Sequence, residues 1–508
     1  MAELPHLASD SGQPDDLSKP WYASLTRYHW FVLLVAALGW LFDCLDQQLF
    51  ILARAPAMNE LIPAEGGVVT EAVEQARRAW GDYATSIFIA GWATGGLIFG
   101  ILGDRIGRAK TMMITILLYS AFTGLSALSQ SPIDFAIYRL LTGLGVGGEF
   151  AVGVALVAEV MPTNRSRSYA LAMLQALSAF GNLSAAFINY GLGIAEETGL
   201  PYSPWRIMFM IGAVPALLAL VVRWKLKEPE KWQQARHDDA VEKRLGSYRE
   251  LFRDPKLRKH ALLGLALGCS GIIGLWSVGF FTMDLIQFVQ RKPVSVEVYQ
   301  AELAAATTAG DAVRAASVKE LLSLVDGTAT SLSTEAQGVQ TELDGKIKGQ
   351  LKKWASFASI AINIGAFFGM FGFGALAQRI GRKPTFAMAF LAAFVTTASV
   401  FWFLQDMWQI WVMVPLMGFC QLSLFAGYAI YFPELFPTHL RSTGTSFCYN
   451  VGRFVAALGP IIKAQLEMFF KDTPEPLRYA GVTMCVVFLL GLVVLPFLPE
   501  TLDQGLPE

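Results

Sequence analysis

Charge is scarce in this chain. Only 16% of its 508 residues are Asp, Glu, Lys or Arg, and 54% are hydrophobic. Soluble domains carry about 25% charged residues, so a string of soluble domains is excluded. The 40 basic and 41 acidic side chains leave a net charge of -1. That balance lacks the basic excess on which nucleic-acid binding rests, and no nucleic-acid partner is expected. Cysteine is rare as well. Cys44, Cys269, Cys420, Cys448 and Cys485 stand singly inside apolar segments, with no spacing for disulfides or a metal site; no metal and no cofactor are expected. The five histidines (His6, His29, His237, His260, His439) fall in tails, loops or helix ends, so a proton carrier at membrane depth is not expected to be a histidine. The stretch up to Pro20 lacks the basic region and cleavage site of a signal peptide, and the first apolar segment is expected to be retained.

What the chain has instead is apolar segments of about 20 residues, the length that crosses a bilayer as helix. Twelve spans are predicted, at 30–51, 82–102, 111–129, 134–158, 168–193, 206–225, 260–284, 355–377, 385–404, 407–430, 442–467 and 477–498. Short loops after spans two, four and eight carry Arg105, Arg108 and Lys110, then Arg165 and Arg167, then Arg379, Arg382 and Lys383. Basic loops stay inside, which predicts cytoplasmic termini in a plasma (inner) membrane. The predicted organisation is a tail (1–29), a six-helix half (30–225), a cytoplasmic connector (226–259), a second half (260–498) and a tail (499–508). Residues 291–353, between spans seven and eight, read as an inserted outer helical subdomain or a loop. Arg54 to Trp80 reads as a shorter outer loop.

An internal repeat relates the halves. "GILGDRIGRAK" (Gly100 to Lys110) follows span two and "GALAQRIGRKP" (Gly374 to Pro384) follows span eight. "AEVMPTNRSRS" after span four mirrors "PELFPTHLRS" after span ten. The fold class is therefore an all-α polytopic membrane protein, with twelve transmembrane helices in two pseudo-symmetric six-helix halves. Such repeats place a site between halves that rock. "GDRIGRAK" resembles the signature loop of the major facilitator superfamily. The E-x-x-P element after span four, its repeat with Arg441 and the closing "LPETLDQGLPE" resemble its sugar and organic-anion porters. "DCLD" in span one and "RLLTGLGVGGE" in span four resemble its proton symporters for aromatic acids, sialate and similar metabolites; Cys44 replaces their usual glycine.

Asp43 and Asp46 are the costly residues, since a charge at membrane depth costs a few kcal/mol or more. Three residues apart, they share a face about 60° wide. They are candidates for coupling to protons, against a plain bond to a neighbouring helix. Arg139 lies roughly 9 Å deep at 1.5 Å per residue, matching Asp46. The resemblance implies a proton-coupling aspartate–arginine pair at these positions; a fixed ion pair is the alternative. Glu149 either relays a proton or locks the gate loops. Arg453, near the centre of span eleven, must meet a carboxylate, backbone carbonyls or a substrate anion. Guanidinium binds carboxylate bidentately, and in the resembling organic-anion porters an arginine here binds the anion. Gln175, Asn182, Trp276, Asn363, Gln421, Tyr428, Tyr449 and Asn450 either line a cavity or bond helix to helix. Conformational control is assigned to Gly103, Asp104, Arg105, Gly107, Arg108, Glu159, Arg379, Arg382, Glu434 and Arg441. Gln378 replaces the acid in the second loop copy, so the latch is expected to be asymmetric.

No catalytic constellation is present, and "GLGVGGE" lies inside a span with no preceding strand, so neither an enzyme nor an ATP-driven pump is expected. The expected function is a monomeric secondary transporter in the lipid bilayer, carrying a small organic anion together with protons by alternating access. A proton-coupled sugar or polyol porter, or a solute sensor of the same fold, are the alternatives.

Overall fold

The computed structural model describes residues 20–63, 70–197, 201–238, 242, 244–279, 281–328, 332–502 and 504–507. These form the expected twelve-span helical bundle, with no strand among the described residues. Spans one to four are single helices, Arg27–Leu61, Glu71–Ile106, Arg108–Ser126 and Pro132–Val160. Spans eight to ten are Thr334–Ile380, Arg382–Phe403 and Met407–Leu435. The other five are broken. Span five pairs Asn164–Ala176 with Ser178–Glu197. Span six pairs Pro204–Ile211 with Ala216–Lys225, interrupted at Pro215, whose ring cannot continue the hydrogen-bond ladder. Span seven, from Pro255–Ile273, passes through a π-helical turn at Gly274–Gly279. Span eleven pairs Arg441–Ala456 with Gly459–Phe469, and span twelve Pro476–Cys485 with Val487–Val494.

Eight of these spans are long and apolar enough to cross a bilayer on their own. Span eleven falls short because its first helix, "RSTGTSFCYNVGRFVA", is polar. Its polar side chains are hidden at the seam between the halves rather than facing lipid, and Ser442, Thr443, Thr445, Ser446 and Asn450 are all fully buried. Spans five and eight face each other across the same seam, joined in the bundle by Asn182 Nδ2 donating to Asn363 Oδ1 at 2.9 Å.

Within each half, glycine lets two spans interlock. A methyl added at Gly95 of span two would collide with the carbonyl of Leu144, and one at Gly147 of span four with that of Trp92. Spans eight and ten repeat the arrangement, Gly365 meeting the carbonyl of Pro415 and Gly369 that of Phe419. Such close backbone approach is the means by which helices associate where lipid is as apolar as the side chains.

The Arg54–Trp80 segment differs from expectation. Span one stays helical to Leu61 and span two starts at Glu71, so "EAVEQARRAW" is the first turns of a helix. The segment is tied together by Arg77, whose Nε donates to the Ile62 carbonyl at 3.0 Å. Where they are described, residues 291–353 are helical apart from short turns at 310–311, 326–328 and 332–333. Phe281–Ala309 continues out of span seven, Ala312–Val325 follows, and Thr334–Ile380 returns into span eight. These helices bury a core of their own, including Val294, Val298, Val318, Leu321, Leu343 and Ile347. Arg314 ties them together through Glu302 (2.6 Å) and Glu342 (2.7 Å). Among its described residues, the connector includes the short helices Glu230–His237 and Tyr248–Arg253.

Residue Gly95 gives the packing test. Gly95→Ala is expected to cost about 1–3 kcal/mol, the range for overpacking a tight interface, and to lower the melting temperature of the purified protein. Gly191→Ala, where an added methyl meets nothing within 4 Å and helix propensity favours alanine, is expected not to lower it.

Candidate functional site

The loop end of the bundle, where Pro20 and Pro507 also lie, holds a buried lattice of charge. Asp104, at the close of span two, accepts the backbone N–H groups of Ser442 (3.1 Å) and Thr443 (2.8 Å) and the Thr443 hydroxyl (2.6 Å). It therefore caps the first turn of span eleven from the other half of the molecule. A free helix N-terminus presents unpaired donors and partial positive charge, and a carboxylate satisfies both. Arg108 lies 3.1 Å from Asp104 and 2.9 Å from Glu159, and Glu159 also holds Arg441 of the second half at 2.7 Å. Arg382 pairs with Glu434 at 3.0 Å and reaches across to Asn164 (3.0 Å) and Ser168 (2.8 Å). Glu434 also meets Arg167 of the first half at 3.3 Å.

The lattice is asymmetric at Gln378. Among the described residues it accepts a hydrogen bond from Arg382 of its own half at 2.8 Å and does not cap the facing helix as Asp104 does. Arg105 and Arg379 are exposed and stand outside the buried lattice; Arg105 instead donates to the Leu245 carbonyl of the connector at 3.2 Å. Gly103 packs against Ser442, and its carbonyl accepts from Arg108 at 3.0 Å.

Gly107 and Gly381 end spans two and eight with φ of 112° and 99°, a region that favours glycine. Against each lies a carboxylate, Glu228 and Glu500 respectively. Glu228 accepts the N–H groups of Ala109 and Lys110, both at 3.1 Å, and Glu500 those of Arg382 and Lys383, both at 2.9 Å. Neither glutamate was singled out from sequence. The signal was available as a third repeat, since each follows the last span of its half, in "KEPE" and "LPET".

At membrane depth, span one brings Asp46 to span four. Asp46 Oδ2 lies 3.6 Å from Arg139 Nη1, and the Thr123 hydroxyl donates to Oδ1 at 2.5 Å. Arg139 is fully buried, donates to Ser126 (2.8 Å) and Thr142 (3.0 Å), and lies over the rings of Phe209 (4.6 Å) and Phe50 (5.6 Å). Asp43 and Glu149 are buried too, and the Thr115 hydroxyl donates to Glu149 at 2.7 Å.

Arg453 sits on the seam. Its guanidinium lies 4.1 Å from the Trp92 ring of span two and 4.4 Å from the ring of Tyr449, one turn back on its own helix. Its Nη1 donates to the Tyr449 carbonyl (2.9 Å) and to Asn450 Oδ1 (2.8 Å), and Nε has no partner. Among the described residues no carboxylate pairs with it. Tyr449 stacks on Phe150 of span four at 3.8 Å, and Phe150 meets Trp40 of span one at 4.8 Å. Among the described residues, aromatic rings from both halves and carbonyl oxygens thus attend this cation.

The other polar candidates divide. Asn450 Nδ2 donates to the Gly147 carbonyl across the seam at 3.4 Å. Gln421 donates to Gly274 (3.2 Å) and Tyr428 to Leu267 (2.9 Å), so both bond span seven within their own half rather than facing the seam. Gln175 is buried with Oε1 unpartnered. The side chain of Trp276 lies outside the described residues. Trp92 and Phe150, which flank Arg453 and Tyr449, were missed because an aromatic in an apolar span carries no periodic mark.

A family of sugar (and other) transporters matches residues 65–265, and the Major Facilitator Superfamily matches residues 340–507. A candidate metabolite transport protein of Haemophilus influenzae is 27% identical, over 95% of this chain and 99% of its own. The niacin transporter NiaP of Acinetobacter baylyi is 26% identical over 86% and 87%, and that organism's cis,cis-muconate transport protein is 26% identical over 74% and 75%. The proton:xylose symporter XylE, bound to 6-bromo-6-deoxy-D-glucose, superposes with a TM-score of 0.61 at 18% identity, over 94% of this chain and 98% of that one. That likeness is one of fold.

Glu500 offers a pH test. Burial raises its pKa, but the N–H groups of Arg382, Lys383, Thr501 and Leu502 outweigh that and hold it below the ordinary glutamate value. A depressed folded pKa means stability that is present above the unfolded value of about 4.3 and lost as pH falls through the folded one. Glu500→Gln is expected to destabilise the protein at neutral pH by on the order of 1 kcal/mol, the scale of a lost helix cap. In thermal melts the gap from wild type is expected to close in acid.

Proposed function

The chain belongs to the major facilitator superfamily and is a secondary transporter, and from that premise we propose that it carries a small carboxylate together with protons. The observation that carries this reading is Arg453. A buried guanidinium without an acid is expensive, and cation–π contacts with Trp92 and Tyr449 offset only part of that cost, at about 2 kcal/mol or more each when desolvated. A carboxylate entering between the halves supplies the missing counter-charge in the bidentate geometry that guanidinium favours. The flat walls of Trp40, Phe150 and Tyr449 suit a planar or apolar body behind that carboxylate. The names of the niacin and cis,cis-muconate relatives agree with such a solute.

Proton coupling rests on Asp46 and Arg139. A proton on Asp46 cancels its attraction for Arg139, which keeps Ser126, Thr142 and two aromatic rings as partners. The pair can thus open without stranding the cation. The loop-end lattice is the inner gate, and in this state it is shut. Opening it breaks several charge-assisted bonds, each worth about 1.5–3 kcal/mol, which solute and proton binding must offset. Basic loops set the loop end in the cytoplasm of a plasma (inner) membrane. Both halves of the site come from one chain, which suits a monomer.

Two substitutions test the reading in proteoliposomes with benzoate and nicotinate as probes. Arg453→Ala is expected to weaken binding of both at least 10²-fold while the protein stays folded; retained affinity would remove Arg453 from solute binding, and a wild type that binds neither probe would favour a neutral sugar or polyol. Asp46→Asn is expected to abolish uptake driven by a pH gradient and to spare exchange of labelled for unlabelled solute. Undiminished gradient-driven uptake removes Asp46 from coupling.

A further inference from the structure

Among the described residues, two buried carboxyl groups in the first half have no ion-pair partner. Asp43 lies one turn from Asp46 on span one, is 1% exposed, and neither of its oxygens has a hydrogen-bond partner. One turn further back is Gly39, and the space its missing side chain leaves is filled by Oε1 of Glu149 from span four. Glu149 is 1% exposed; its Oε2 accepts the Thr115 hydroxyl at 2.7 Å and its Oε1 has no partner. Asp43 is within electrostatic range of both Glu149 and Asp46. Tyr119, one turn beyond Thr115 on span three, is fully buried with its hydroxyl unpartnered, within range of all three carboxyls.

The charges do not balance if every group is ionised. Arg139 is the guanidinium of this cluster, and it is engaged by Asp46, Ser126 and Thr142. Arg453 lies across the seam with Tyr449 and Asn450. Two further carboxylates would then be buried, unpaired and close together. Both desolvation and mutual repulsion oppose that, and a proton removes both penalties. A single shared proton would still leave one charge without a partner, so each acid has reason to hold its own.

Resting on the transport reading above, we propose that Asp43 and Glu149, with Tyr119 and Thr115, form a second proton-carrying site distinct from the Asp46–Arg139 pair. Asp46 exchanges its proton against a guanidinium. Asp43 and Glu149 exchange theirs only when the site is wetted from one side or the other. The cycle then moves more than one proton with each solute, the protons entering and leaving on the solute's own route with no covalent step.

Infrared spectroscopy of the purified full-length chain tests this without any solute, so its outcome is separable from that of the transport assays. A buried protonated carboxyl gives a carbonyl-stretch band that an ionised carboxylate lacks and that shifts in D2O. The wild type at neutral pH is expected to show this band. Asp43→Asn and Glu149→Gln are each expected to lose part of it, and Asp46→Asn to retain it. Thr115→Val, which keeps both acids, is expected to shift the Glu149 component in frequency, and serves if either acid variant fails to fold. Raising the pH is expected to remove the band reversibly. No band in the wild type, a band lost in Asp46→Asn alone, an unmoved band in Thr115→Val, or a band unchanged at every pH at which the protein stays folded would each overturn the proposal.

Discussion

A guanidinium buried in an apolar bundle must be surrounded by something that replaces water, and in this protein that demand shapes most of the interior. Arg108, Arg139, Arg382 and Arg441 are wholly inaccessible, and each is supplied with a carboxylate. Three of the four lie at the loop end, where their acids tie one half to the other. The fourth ties span four to span one. Arg453 is the exception, provided among the described residues with rings and carbonyl oxygens and no carboxylate. In a structure otherwise strict about pairing its cations, that exception separates the proposed solute site from the scaffold.

The two halves solve the same local problems with related residues and then diverge. Glu228 and Glu500 occupy equivalent places and cap equivalent helices, beside Gly107 and Gly381 in the same unusual backbone conformation. The interlocked spans two and four have their counterpart in spans eight and ten. Divergence falls on charge. Asp104 caps a helix of the opposite half, whereas Gln378 stays within its own. The membrane acids Asp43, Asp46 and Glu149 belong to the first half and Arg453 to the second, so buried acid and the buried cation without an acid sit on opposite sides of the seam.

Much of this was legible in the sequence because membrane helices obey a simple solvent rule. Span count, repeat and the equal depth of Asp46 and Arg139 follow from hydropathy and a constant rise per residue, and the structure brings those two residues within 3.6 Å. What was not legible depends on rotation about the helix axis. Depth alone does not tell that Asp46 rather than Asp43 pairs with Arg139, nor that Gln421 and Tyr428 turn toward span seven. The Arg54–Trp80 segment misled because Pro56 and polar residues suggest a loop, although helices can run on past the bilayer once water satisfies their side chains. Arg379 misled for a related reason. The repeat marks its position, but a charge at a loop is as readily solvated as latched.

The inserted segment has a mechanical consequence. Its helix Thr334–Ile380 is continuous with span eight, and Trp354 packs against both the bundle core and the insert's own core. From Thr334 to Lys353 the helix of span eight projects about 30 Å beyond its predicted start at 1.5 Å per residue. It is therefore a lever arm fixed to the second half, whose tip travels about half an ångström for each degree of tilt. Movements too small to resolve within the bilayer are magnified there into displacements that a pair of fluorescent or spin labels can register in water.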